Sequence, residues 1–129
     1  MKSVYYILLI VLVVIACDKP IISDIMFVEL DIVQTNSPKT GQVNHDIVSQ
    51  VRVSGSDLCY KFAYFTVNKQ QFTVDIHAKG TYPTKPVGCA TALYFKDTTL
   101  SVPVTTAGTY VLRFFNGSQL FKSDTVQVN

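Results

Sequence analysis

From Gln71 to Lys79 the chain alternates in polarity without a break. Phe72, Val74, Ile76 and Ala78 fall on one side, and Thr73, Asp75, His77 and Lys79 on the other. Successive side chains of an extended strand point to opposite faces, whereas a helix would spread these apolar residues around its axis. The segment therefore reads as a half-buried strand, and its solvated second face implies an antiparallel sheet. One strand cannot bury a face alone, so the rest of the chain has to supply partners.

It does so at turn-separated intervals. Ile25 to Gln34 alternates through Met26, Val28, Leu30 and Ile32, and Asp46 to Ser54 through Ile47, Val51 and Val53. Leu58 to Val67 is the most aromatic candidate, with Tyr60, Phe62 and Tyr64 on one face. Ala90 to Phe95 and Thr99 to Val104 read as two short strands, the second confined to an edge by Pro103. Thr109 to Phe115 and Ser118 to Val128 flank Asn116-Gly117, a pair suited to the two positive-φ positions of a type I′ hairpin turn. Thr35 to Gly41 reads as a loop, Gly55-Ser56-Asp57 and Asn68-Lys69-Gln70 as turns, and Gly80 to Gly88, with Pro83 and Pro86, as a long loop. No stretch after Cys17 holds a helical period. The expected class is all-β, a sandwich of about seven to nine strands.

Thr106-Ala107-Gly108-Thr109-Tyr110 resembles the Gly-x-Tyr entry to a late strand of immunoglobulin-like domains. That resemblance implies an immunoglobulin-like antiparallel β-sandwich in which the Tyr110 hydroxyl ties back to the preceding corner. Antibody-type domains add a buried tryptophan and a long cysteine spacing. This chain has no Trp and a short 59–89 spacing, so the likeness is to the architecture only.

The N-terminus has a different character. Lys2 precedes an unbroken apolar run from Val4 to Ile15, followed by Ala16 and Cys17. The run falls below the roughly 18–20 residues that span a bilayer as a helix, and its charged start and small-residue end mark a secretory signal. Val14-Ile15-Ala16-Cys17 resembles the lipobox of bacterial lipoprotein precursors, with Val14 where leucine is commoner. The resemblance implies cleavage before Cys17 and acylation of its thiol, so that membrane lipid is a partner through Cys17. The alternative is an ordinary secretory signal cut after Ala16. On the lipoprotein reading the chain divides into a signal peptide (1–16), a lipidated tether (17–24) and a β-sandwich domain (25–129). A tether of that length reaches at most roughly 25 Å. The layout is similar to that of small lipoproteins of Bacteroidota, which implies a lipid-anchored protein of the cell envelope, at the outer rather than the inner membrane.

The chain has three cysteines, at 17, 59 and 89. An odd count in an exported chain needs an explanation. Lipidation of Cys17 supplies one and leaves Cys59 and Cys89 as a pair, which an oxidising compartment would close. The alternative is two buried thiols acting as small apolar residues.

A formal charge of +2, or near +1 once Lys2 is removed with the signal, argues against a nucleic-acid binder. His45-Asp46, and Asp75 with His77, could form a His/Asp site, although exposed sheet-face residues are the simpler reading. Glu29 and Asp31, two apart on one strand, could act as paired carboxylates only beside a cleft. Gly-x-Ser-x-Gly, HExxH and a phosphate-binding glycine loop are all absent from the sequence. No catalytic residue, metal or cofactor is expected. Tyr60, Tyr64, Tyr82 and Tyr94 could line a surface for a protein or glycan ligand, Tyr82 being the one expected to be exposed; core packing is the alternative. The expected function is a membrane-anchored binding or structural module without enzymatic activity. The alternatives are an inhibitor of an exported protease acting through the 80–88 loop, and a small envelope hydrolase or its accessory domain.

Overall fold

The computed structural model describes residues 24–129; the signal segment, Cys17 and most of the tether lie outside them. Among the described residues are eight strands and no helix: β1 (Ile25–Asn36), β2 (Thr40–Gly41), β3 (Ile47–Gly55), β4 (Lys61–Gln70), β5 (Thr73–Pro83), β6 (Tyr94–Val102), β7 (Gly108–Asn116) and β8 (Gln119–Val128). They follow one curled path, β2-β8-β7-β5-β1-β3-β6, with β4 on the other side of β5. Two neighbouring pairs run parallel, β5 with β7 and β2 with β8; the remaining pairs are antiparallel.

The curl is made by β1. Its first half, Ile25 to Leu30, pairs with β5 from Pro83 to Ala78. Its second half, Asp31 to Asn36, pairs with β3 from Ser54 to Gln50. The strand thus leaves one layer for the other, and an irregularity between Ile32 and Gln34 shifts its alternation by one residue. Leu30 and Ile32 are buried before that shift and Thr35 after it. The layers enclose Val74, Ile76, Ala78, Tyr110, Leu112, Phe114, Val126 and Val128 from one side and Ile47, Val51, Val53, Leu100 and Val102 from the other.

The second half of β1 would leave an open backbone edge toward β7 and β8. Side chains close it. Ile32 N–H donates to Asn116 Oδ1 at 2.7 Å, and Asn116 Nδ2 donates to Ile32 O at 3.2 Å. Lys122 Nζ donates to Thr35 O at 3.0 Å. The hydroxyls of Thr35 and Ser37 donate to Asp124 Oδ2 at 3.1 and 2.8 Å, and Ser49 Oγ donates to Ser37 Oγ. Buried polar groups need such partners, and this row supplies them where the sheet has none.

Several expectations change. The Asn116-Gly117 turn has Gly117 and Ser118 at its centre, since Asn116 pairs with Gln119. Gly117 has φ 58°, while Asn116 is not in the positive-φ region, so the turn is of the II′ kind rather than I′. Gly80 to Pro83 is strand, not loop. Gly80 is required there because a Cβ would lie 2.7 Å from Lys61 O and 2.8 Å from Leu30 Cγ. Ala90 to Leu93 is irregular, and the two short strands expected over 90–104 are one, paired residue for residue with β3. Lys96 and Asp97 do not interrupt it because Asp97 stands opposite Arg52, which it binds at 2.7 and 2.9 Å. The turn expected over Asn68 to Gln70 falls at Gln71 and Phe72, with Gln71 at φ 53°. Tyr110, fully buried, donates its hydroxyl to Thr106 O at 3.0 Å, the corner that the Gly-x-Tyr resemblance implies.

Candidate binding surface

The start of β1, the β3–β4 connection and the β5–β6 connection meet at one end of the sandwich. Backbone bonds fix the meeting: Thr84 N donates to Asp24 O at 2.9 Å and Leu58 N to Ala90 O at 3.2 Å. Cys59 and Cys89 stand at disulfide distance, with α-carbons 5.4 Å apart, and link the two connections. Asp57 organises the turn beside them. Its Oδ1 accepts from Cys59 N at 2.8 Å and its Oδ2 accepts from the Tyr82 hydroxyl at 2.9 Å. That hydrogen bond to the carboxylate holds the Tyr82 hydroxyl above the usual tyrosine range.

Asp57, Cys59 and Cys89 place three potential metal donors within 4.8 Å of one another. A bridged pair offers no thiolate, and both Asp57 oxygens already accept hydrogen bonds, so the trio reads as a bridge with a capped turn.

The tyrosines divide into two kinds. Tyr60 is half-buried, with its ring centroid 4.6 Å from that of Tyr82, and it lies over Gly55, where a Cβ would come within 2.4 Å of it. Tyr82 is also half-buried, contrary to the expectation of exposure, because its segment is strand rather than loop. The Tyr94 hydroxyl accepts from Phe62 N at 3.0 Å. Tyr64 is the exposed member, edge-on to Phe27 at 5.8 Å. The division follows from a register shift in β4 between Phe62 and Tyr64, which turns Phe62 and Phe65 toward the core and Tyr64 outward.

Around this end the surface is apolar. Ile25, Met26, Phe27, Leu58, Val87 and Leu93 are all exposed, Phe27 at 65% and Val87 at 90%. Period-two alternation does not reveal this patch. Its signal was Ile25-Met26-Phe27, three successive apolar residues that a period-two strand cannot bury together.

The candidate catalytic groups do not assemble. The β1 crossover falls between Glu29 and Asp31, so the two carboxylates pair into different layers. Glu29 binds Lys79 Nζ at 3.1 Å and His77 Nδ1 at 3.2 Å. Lys79, against the opposing effect of partial burial, and then His77 hold the Glu29 carboxyl below its ordinary value. Asp75 is held by Arg113 at 2.6 and 2.7 Å, and His77 stacks on Phe115. The His45 ring Nδ1 lies 3.4 Å from Val43 O, and Asp46 accepts from Ser101 Oγ. Among the described residues neither histidine is hydrogen-bonded to a serine, threonine or cysteine.

The fold and this end together define a small all-β sandwich domain with an apolar, cysteine-linked tip. The chain belongs to the ORF11 beta-sandwich domain family, whose profile matches residues 50–128, from within β3 to the end of β8. No curated protein and no solved structure gives a significant match.

Proposed function

We propose that this chain is a lipid-anchored module of a bacterial cell envelope, a small immunoglobulin-like sandwich that binds or supports a partner without enzymatic activity. One observation carries the reading. Cys59 and Cys89 stand at disulfide distance, which leaves Cys17 as the odd cysteine, directly after the apolar run and within a lipobox-like sequence. The resemblance to lipoprotein precursors gives that thiol an acyl chain as its partner. The pair also suits an exported domain, because closure of a loop on the order of 30 residues adds roughly 3–4 kcal/mol to a fold of modest size. The experiment is incorporation of labelled fatty acid into the wild type and Cys17→Ser, followed by membrane fractionation. Label and membrane association should both be lost in the variant; undiminished label would overturn the reading.

A second reading, inhibition of an exported protease, has one observation in its favour. The segment Thr84–Gly88 is exposed, with β5 on one side and Cys89 on the other, and presents Val87 to solvent. Titrating the protein against exported serine and cysteine proteases tests it.

A further inference from the structure

We infer that the apolar end of the sandwich rests on the lipid surface in which the chain is anchored, an inference that builds on the lipoprotein reading of Cys17. The patch and the tether lie at the same place. Asp24, the first described residue, accepts from Thr84 N, and Ile25 pairs with Pro83 at the base of the connection that carries Val87. Asp24 follows Cys17 by seven residue steps, so this end stays within roughly 25 Å of the acyl chains. Of all the domain's surfaces, the one held against the membrane is the one bearing Ile25, Met26, Phe27, Leu58, Val87 and Leu93.

The chemistry suits an interface of lipid headgroups and acyl chains. Apolar side chains on turns insert shallowly at that boundary, while basic residues near them favour anionic headgroups. Lys61 and Lys85 are exposed at this end. Asp57 turns both carboxylate oxygens inward, to Cys59 N and Tyr82, leaving Asp24 as the exposed acid. A patch of this size would bind bilayers weakly by itself, but the anchor makes docking intramolecular and so raises the effective lipid concentration greatly. The same short leash leaves a protease little room to reach Val87, which favours lipid over a protein occupant.

The chain contains no tryptophan, so a single introduced indole reports its own surroundings. The test uses full-length lipidated protein reconstituted into phosphatidylethanolamine–phosphatidylglycerol vesicles, with and without bromine-labelled acyl chains. Val87→Trp and Leu93→Trp place the probe in the patch. Thr105→Trp places it at the opposite end, near the Gly108 start of β7. Emission from both patch probes should shift to the blue and fall by at least half with brominated lipid, while the Thr105→Trp signal stays unchanged. Unquenched patch probes, or equal quenching at all three positions, would overturn the docking. So would unquenched patch probes together with protease inhibition that Val87→Asp abolishes, which would assign this end to a protein target. Fatty-acid labelling of the same preparations separates the two claims: label without quenching removes the docking alone, and absence of label removes the anchor as well.

Discussion

Replacing Asn116 by glycine distinguishes two roles for this residue. In a type I′ turn Asn116 would sit at positive φ, where glycine is at least as good. In the structure Asn116 ends β7 outside the positive-φ region, and its side chain makes two hydrogen bonds to the backbone of Ile32, a fully buried residue at the β1 crossover. Truncation removes both bonds and leaves an N–H and a C=O without a partner. Neutral hydrogen bonds contribute about 1 kcal/mol each, and an unsatisfied buried donor costs more, so the loss should be about 2–3 kcal/mol. With a urea dependence of roughly 1–2 kcal/mol per molar, the midpoint should fall by roughly 1–3 M. Asn116→Ala should lose a similar amount, because the missing bonds are the same. The assay is urea unfolding followed by far-UV circular dichroism. A glycine variant as stable as wild type beside a destabilised alanine variant would refute the argument, since that pattern belongs to a positive-φ turn residue.

Gly117→Val places a β-branched residue at φ 58°, in open space but in a strained backbone, and should cost about 1 kcal/mol or more; an unchanged unfolding midpoint would contradict that geometry. Asp124 is pushed up by burial, but hydrogen bonds from Ser37, Lys122 and Thr35 outweigh this and leave its pKa below the ordinary value of about 3.9. Its stabilisation is therefore complete above that value and lost as pH falls through the folded-state pKa. Asp124→Asn should cost about 1–2 kcal/mol at neutral pH, with the gap to wild type closing in acid; a gap independent of pH would show that the charge is irrelevant. Cys59→Ser with Cys89→Ser should lower stability by roughly 3–4 kcal/mol under oxidising conditions, and wild type in reductant should match the variant. Equal stability of oxidised wild type and variant would argue against a bridge.

The strands legible in the sequence are those whose alternation stays in phase. In β3, Ile47, Val51 and Val53 are buried and Gln50 and Arg52 exposed, and in β5, Val74, Ile76 and Ala78 are buried between outward-facing neighbours. Phase slips hid the rest. The irregularities in β1 and β4 change faces after Ile32 and Phe62, which a fixed period cannot follow. Gly80 and Pro83 carry loop composition, yet β5 needs Gly80 where Lys61 and Leu30 close in. Asn116 followed by Gly117 has the composition of a turn whichever way its side chain is used, and only the position of β1 reveals that it faces Ile32. At the candidate surface the cysteines and tyrosines were legible as types. Their division into half-buried Tyr60 and Tyr82 and exposed Tyr64 depends on the β4 register, and the apolar patch depends on which connections meet at one end.

Intact mass and peptide mapping of the mature protein extracted from membranes tests the anchored-module reading most directly. The prediction is a polypeptide beginning at Cys17, carrying a diacylglyceryl group on its thiol, with Cys59 and Cys89 recovered in one linked peptide. A mature chain that retains residues 1–16, begins at Asp18, or carries Cys17 as a free thiol or in a bridge to Cys59 or Cys89 would contradict it.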